Sequence, residues 1–315
     1  MGLLTAVGLA AAASPTVRAE AHRMRSFLRP LEPLGRAPVP PPLPPGRIVN
    51  VPGRGELFTR DTGASRRAGP PILLLHGWGA TADVNFFTVF PALAGFRAVA
   101  LDHRNHGRGL RPETPFSIDD CADDAAALLT ALGIDQAIVV GYSMGGAIAL
   151  SLARRHPELV SGLVMAATAL EFSGEPRDQL LWHGLSLVEA ALRHGSGDGV
   201  IQRLLRDALD KDPTLDPYRA WLAGEVRRGH VPGLLEAGRA LRSFDARPWA
   251  AELQAPAAMV VTTADRLVPP RKQEALAAAL AAATYEVDGD HDAIITAGQE
   301  FGRSICAAVD DVRGR

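Results

Sequence analysis

The chain has 315 residues, of which 47% are hydrophobic and 22% charged, with a formal net charge of −2. That length suits one large α/β domain or two smaller ones, and the near-neutral balance offers no global field to attract nucleic acid or an anionic membrane. The two cysteines, Cys121 and Cys306, form no disulfide framework and stand in no metal-ligand or C-x-x-C spacing, which fits a reducing compartment. Lysine occurs only at 211 and 272, so nearly all positive charge is arginine, a bias of composition.

In chain order, Met1 to Ala13 is apolar, but it is short and lacks the basic start of a secretory signal or the length of a membrane span. Val17, Ala21, Met24, Phe27 or Leu28, and Leu31 then recur at helical spacing, interleaved with Arg18, Arg23, Arg25 and Arg29. This pattern reads as a helix packed on the domain or as a loose arm. Its sharper alternative is weak contact of residues 1–35 with a membrane surface. "PVPPPLPPG" (38–46) is a polyproline spacer that closes the arm.

From Gly46 to Gly63 the sequence predicts two strands around a Pro52-Gly53 turn. "PILLLHG" and "FRAVALDHR" are continuous apolar runs, as strands buried on both faces require. "SIDDCADDAAALLTALG" reads as a helix capped by Ser117 with Asp120 in the capping-box position and closed by Gly133. "DQAIVVGYS", the helix "MGGAIALSLARRHP" and the strand "VSGLVMAATA" continue an alternation that implies a mainly parallel sheet. Residues 171–250 break the alternation with helical segments and three of the four tryptophans, an insertion over the strand ends. Strand and helix then resume through "PAAMVVTTAD", "RKQEALAAALAA", "ATYEVDGDH" and the last helix. The expected organisation is an arm and spacer at 1–45, an α/β core at 46–170 and 251–315, and a helical cap at 171–250.

Gly141-Tyr142-Ser143-Met144-Gly145 is G-x-S-x-G between a predicted strand and helix. A sharp turn there lifts Ser143 Oγ from the sheet edge, and the following helix directs its first amides at the same point. A serine nucleophile needs a base. Of nine histidines, His291 follows the last predicted strand. His76 and His106 stand in glycine turns where a structural role is expected, His156 ends a helix, and His183, His194 and His230 fall in the insertion. The base needs an orienting carboxylate. Asp265, closing "AAMVVTTAD", is the leading candidate, with Asp288, Asp290, Asp292 and Glu171 as competitors. Oxyanion donors are expected from the amides of Met144 and Trp78, with the Trp78 indole touching substrate. No metal spacing or G-x-G-x-x-G turn is present, so neither metal nor nucleotide cofactor is expected.

"LLLHGWGA", "LDHRNHGRG", "GYSMGGAIAL", "TTADRLVPP" and "GDHDA" together resemble the α/β-hydrolase superfamily over roughly residues 47 to 313, in its capped, esterase- or lipase-like branch with a serine nucleophile. The resemblance implies an eight-stranded, mostly parallel sheet with helices on both faces and a helical cap after strand six. It places Ser143, Asp265 and His291 on the nucleophile, acid and base positions, and Trp78 and Met144 on the oxyanion positions. "DHRNHGRG" is similar to the family's D-x-R-G-H-G-x-S turn, with Asn105 and Gly109 as departures. The serine argues against the dehalogenase and epoxide hydrolase branches, which use aspartate. The expected activity is hydrolysis of a carboxylic ester with an apolar acyl or alkyl group. C–C bond hydrolysis, cofactor-free haloperoxidase or perhydrolase chemistry and acyl transfer are the alternatives, with a non-catalytic ligand receptor behind them. Tyr142 replaces the asparagine usual before the serine in C–C hydrolases, and "HGWGAT" lacks the proline usual in the peroxidases. A cytoplasmic location is expected, with peripheral membrane association or export through the N-terminal segment as the alternative.

Overall fold

The computed structural model describes residues 38–176, 178, 179, 182, 213–228 and 231–315. The proposed arm helix, His183, His194 and His230 lie outside the described residues.

Eight strands form one sheet: β1 (Gly46–Val51), β2 (Gly55–Asp61), β3 (Ile72–Leu75), β4 (Ala98–Leu101), β5 (Ala137–Tyr142), β6 (Val160–Ala166), β7 (Ala257–Thr262) and β8 (Ala283–Val287). Their order is β1-β2-β4-β3-β5-β6-β7-β8. β1 and β2 pair antiparallel, as does β2 with β4; every pair from β4 to β8 is parallel. The central strands are short because they need only cross the core. All four residues of β3 and of β4 are buried. Alternate residues point to opposite faces. Leu73, Leu75 and Val139 therefore pack on one side and Ile72, Leu74 and Val140 on the other.

The first face is covered by α2 (Ile118–Ala131) and α3 (Met144–Arg155), the second by α8 (Gly298–Gly314). α2 starts where the sequence places it. Ser117 Oγ accepts from Asp120 N–H at 3.3 Å, while Asp120 Oδ2 accepts from Ser117 N–H at 2.8 Å. Such a cap contributes about 1 kcal/mol. In α8, Phe301, Ile305, Val309 and Val312 are buried at the spacing of one helical face. Short helices α1 (Ala82–Phe86) and α7 (Ala293–Thr296) follow β3 and β8, and α6 (Pro270–Ala279) joins β7 to β8.

Between β6 and β7 the described residues contain the helices α4 (Arg219–Arg227) and α5 (Val231–Arg242) and no strand. α4 matches the predicted "YRAWLAGEVRRG", while α5 is a helix that the sequence reading passed over. Its Gly233 and Gly238 weaken the helical signal, yet both are where the chain runs close to other groups. A Cβ at Gly233 would meet Asn105 and one at Gly238 would meet Trp78. No described helix is long and apolar enough to cross a membrane.

Candidate active site

The carboxyl ends of β3, β5, β7 and β8 converge on one region of the sheet edge. β5 delivers Ser143 through a turn with φ 54° and ψ −118°. A non-glycine residue held there stores on the order of 1–3 kcal/mol of strain. The turn is fixed from both sides. Ser143 N–H donates to Ala166 O at 2.9 Å, and Ser143 O accepts from Gly146 N–H at 2.9 Å and from Thr168 Oγ1 at 2.7 Å. The flanking glycines are steric requirements, since a Cβ would lie 2.5 Å from Gly145 O at Gly141 and 1.9 Å from Leu75 O at Gly145.

His291 Nε2 lies 3.0 Å from Ser143 Oγ, and its Nδ1 lies 2.8 Å from Asp265 Oδ2. A carboxylate only accepts, so Nδ1 carries the proton and Nε2 of the neutral ring accepts from the serine hydroxyl. Asp265 is buried and fully engaged. Oδ1 accepts from the Leu267 and Val268 amides, each at 2.8 Å, and Oδ2 also accepts from Thr262 Oγ1 at 2.9 Å and Gln273 Nε2 at 3.2 Å. These bonds fix the carboxylate before the imidazole meets it.

The competing carboxylates are engaged elsewhere. Asp290 pairs with the Arg266 guanidinium and accepts from the Arg266 and His291 amides. Burial pushes its carboxyl up, but those bonds together overcome that and hold it down at about 2. Asp288 accepts from Thr263 Oγ1, and Glu171 pairs with Lys272. Asp292 accepts from Thr296 Oγ1 at 3.4 Å.

Trp78 lies in the loop after β3, with its indole Nε1–H donating to Leu234 O at 2.6 Å. Met144 is the first residue of α3, where a backbone N–H has no partner within the helix. The neighbouring Gly77 N–H is already committed to Asn85 Oδ1 at 2.8 Å.

Three residues around this geometry escape a sequence reading. Asn85 positions the Gly77 loop. Gln273 clamps Asp265 to β7 by also donating to Thr262 Oγ1 at 2.8 Å. Tyr142, fully buried beside the nucleophile, donates its hydroxyl proton to the backbone carbonyl of His291. Burial pushes that phenol well above its ordinary value, helped by the charges of Asp265, Asp292 and Asp290, so it remains a donor. The only sequence signal was Tyr142's place next to Ser143.

Residues 70–296 match the family model described as the alpha/beta hydrolase fold. The chain belongs to the α/β hydrolase family. Among curated relatives, the pimeloyl-[acyl-carrier protein] methyl ester esterase of Chromobacterium violaceum is 33% identical over 245 residues, 75% of this chain and 93% of that protein. The 2-hydroxymuconate semialdehyde hydrolase of Pseudomonas sp. is 43% identical over 106 residues, 32% of this chain and 38% of that one. Among solved structures, the enol-lactonase from Burkholderia xenovorans superposes with a TM-score of 0.71 at 25% identity, covering 84% of this chain and 100% of that one.

In this α/β hydrolase, Ser143 and His291 open onto a cavity of about 440 Å³. Its wall is mostly apolar, with Trp78, Val84, Phe172, Trp182, Leu241 and Ile295 among the lining side chains. Trp78 and Trp182 pack with tilted rings, centroids 5.7 Å apart, joining the β3 loop to the segment after β6. Leu267, an exposed apolar side chain, also lines the cavity. A largely apolar cavity with a few convergent polar groups is the usual form of a small-molecule site. Among the described residues, no three His, Cys, Asp or Glu side chains are grouped to hold a metal ion.

Proposed function

We propose that the protein hydrolyses a carboxylic ester bearing an apolar acyl or alkyl group, through an acyl-enzyme on Ser143. The observation that carries this reading is the hydrogen-bonded line Asp265–His291–Ser143, at 2.8 and 3.0 Å, ending in an apolar cavity. Ser143 Oγ attacks the ester carbonyl while His291 Nε2 takes the hydroxyl proton, and Asp265 stabilises the resulting imidazolium. The oxyanion is held by the Met144 and Trp78 amides. His291 then returns the proton to the departing alcohol, and the same ring activates the water that releases the acid. Residues 171–250 act as a cap that sizes the acyl site through Phe172, Trp182 and Leu241. The methyl ester esterase among the relatives supports ester cleavage over other outcomes of the same machinery.

The test is release of p-nitrophenol from esters of C2 to C16 acids by wild type and Ser143→Ala. Wild-type cleavage should peak at one chain length, and the variant should lose on the order of a thousandfold or more while unfolding at the same temperature. Equal rates would reject the nucleophile. A second reading, C–C bond hydrolysis, is favoured by the 43% identical stretch shared with the Pseudomonas hydrolase. Ser143-dependent consumption of 2-hydroxymuconate semialdehyde, with no ester cleaved, would put that reading first.

A further inference from the structure

The cavity wall is mostly apolar, and outside the Ser143–His291–Asp265 line it carries a cluster built around a lysine. Lys272, at the start of α6, reaches into the wall and meets two carboxylates of the segment after β6. Its Nζ lies 2.7 Å from Glu171 Oε1 and 2.6 Å from Asp178 Oδ2. A third contact, at 3.4 Å, goes to Glu171 O. An ammonium has three protons. All three point at protein acceptors, which leaves none for a ligand.

The cluster is enclosed, with side-chain exposures of 10% for Lys272, 11% for Glu171 and 9% for Asp178. Burial raises the Glu171 carboxyl, but the Lys272 bond and the Gly174 and Ser173 amides outweigh it and keep it below its ordinary value. Glu171 is thus held as an anion, and one cation faces two carboxylates. On Asp178, Oδ2 takes the Lys272 bond and a second bond from Glu175 N–H at 3.2 Å, while no described residue donates to Oδ1. The remaining described charges lining the cavity, apart from His291, are Asp290, which is matched by Arg266, and Asp292. The cluster itself therefore carries one more carboxylate than cations, and its single lysine is spent.

We propose that the Lys272–Glu171–Asp178 cluster is the specificity element of this cavity, admitting uncharged acyl groups and rejecting those that carry an ionised carboxylate. A carboxylate entering the cavity gives up its water, finds no free donor on Lys272 and faces the net charge of the cluster. Desolvation and repulsion then act in the same direction. The inference rests on the proposed hydrolase reading for the site, but on the nucleophile alone and not on the ester outcome.

The experiment uses two fluorophosphonates of equal chain length, one ending in a methyl group and one in a carboxylate. Each labels a serine by forming the Oγ–P bond as fluoride leaves, with the hydroxyl proton passing to His291. The rate constant of labelling at Ser143, confirmed by peptide mass and lost in Ser143→Ala, is measured on the full chain. Wild type should favour the neutral probe by about tenfold or more, the effect of one uncompensated charge in a partly screened cavity. Asp178→Asn, which brings the cluster to neutrality, should reduce that ratio to about threefold or less. Glu171→Gln should act in the same direction and stands in if Asp178→Asn does not fold. A wild-type ratio near one overturns the proposal, as does a large ratio unchanged in both variants. Absence of labelling by either probe overturns it together with the nucleophile. If labelling discriminates as expected while no ester is turned over, the ester reading falls and the charge selection stands.

Discussion

Two sets of histidines occupy the same end of the sheet, and their surroundings differ in every respect that matters to a proton. His291 is partly exposed to the cavity, and each ring nitrogen has a side-chain partner, a carboxylate on one side and a hydroxyl on the other. His76, His103 and His106 are buried behind the β3 loop, with ring centroids 4.2 Å (His76–His103) and 5.2 Å (His76–His106) apart. None of those three rings bonds a carboxylate. The His103 amide donates to His76 Nε2, so His76 donates from Nδ1 to Gly77 O and is locked neutral. Burial, reinforced by the neighbouring rings, drives His76 well below its ordinary value and His103 to about 3. Burial alone leads the fall of His106 to about 4. An imidazole at a strand end becomes a base only where a carboxylate and an opening meet it.

The largest test of this contrast removes the carboxylate. Asp265→Asn keeps the shape of the side chain but can donate to Nδ1, which favours the wrong tautomer. A loss of roughly a thousandfold to ten-thousandfold in kcat is expected, with KM little changed. A loss under tenfold, measured on the best p-nitrophenyl ester, would show that His291 does not depend on Asp265.

The buried set should reveal itself in stability rather than activity. Each of the three imidazoles has a folded pKa below its unfolded value near 6.5, so the unfolded chain binds protons that the folded chain refuses. Their contribution is present above pH 6.5 and is lost as the pH falls below it. Asp102 works in the opposite sense. Burial outweighs its bonds to the Arg108 and Ala82 amides and raises it to about 6, so between there and its unfolded value near 3.8 the folded state holds an extra proton. One of the three histidine protons is thereby offset over that window. Urea unfolding between pH 6.5 and 4.5 should show stability falling with a slope of about two protons, on the order of 2–3 kcal/mol per pH unit. A flat profile would mean that these rings open to water or find partners.

The fold and the Ser143, Asp265 and His291 positions were legible because each depends on local pattern: β-branched runs, a G-x-S-x-G turn, and polar residues where strands end. Asn85, Gln273 and Lys272 were not, although all three are buried or nearly so in the finished site. They stand on helices whose rotation is set by packing against the sheet, and nothing in "ADVNF" or "PRKQEALAAA" says which face meets the loop ends. Lys272 did leave a trace, as one of two lysines in the chain. Read as arginine bias, that trace hid a side chain enclosed by two carboxylates. The histidines were equally visible in number, but the distinction between them lies in tertiary partners.

A smaller effect is expected at the loop that separates the two histidine sets. Asn85 is 4% exposed and holds the Gly77 N–H immediately before Trp78. Asn85→Ala leaves that buried N–H unpaired, a cost of about 1–3 kcal/mol in stability. It also frees the loop to shift, and a loss of about tenfold in kcat is expected from a displacement of a fraction of an ångström. Unaltered kcat alongside the loss of stability would place the oxyanion donors outside this loop.

The smallest effect, and the sharpest separation of the two regions, belongs to His103. Both of its ring nitrogens are buried without a hydrogen-bond partner, while its amide makes the bond that fixes His76. His103→Leu removes the orphaned nitrogens, keeps the amide and roughly conserves volume. Replacing unsatisfied polar atoms by apolar ones of similar shape is neutral to stabilising, so the change in stability at pH 7 should lie within about 1 kcal/mol and favour the variant. The rate on the best p-nitrophenyl ester should stay within about threefold, where the same substitution at His291 should abolish it. The acid limb of the stability profile should lose about one proton of slope, because one of the three refused protons has gone. A strongly destabilised His103→Leu would mean that the ring has a partner, and the buried cluster would then be a hydrogen-bonded network and not a set of packed neutral rings.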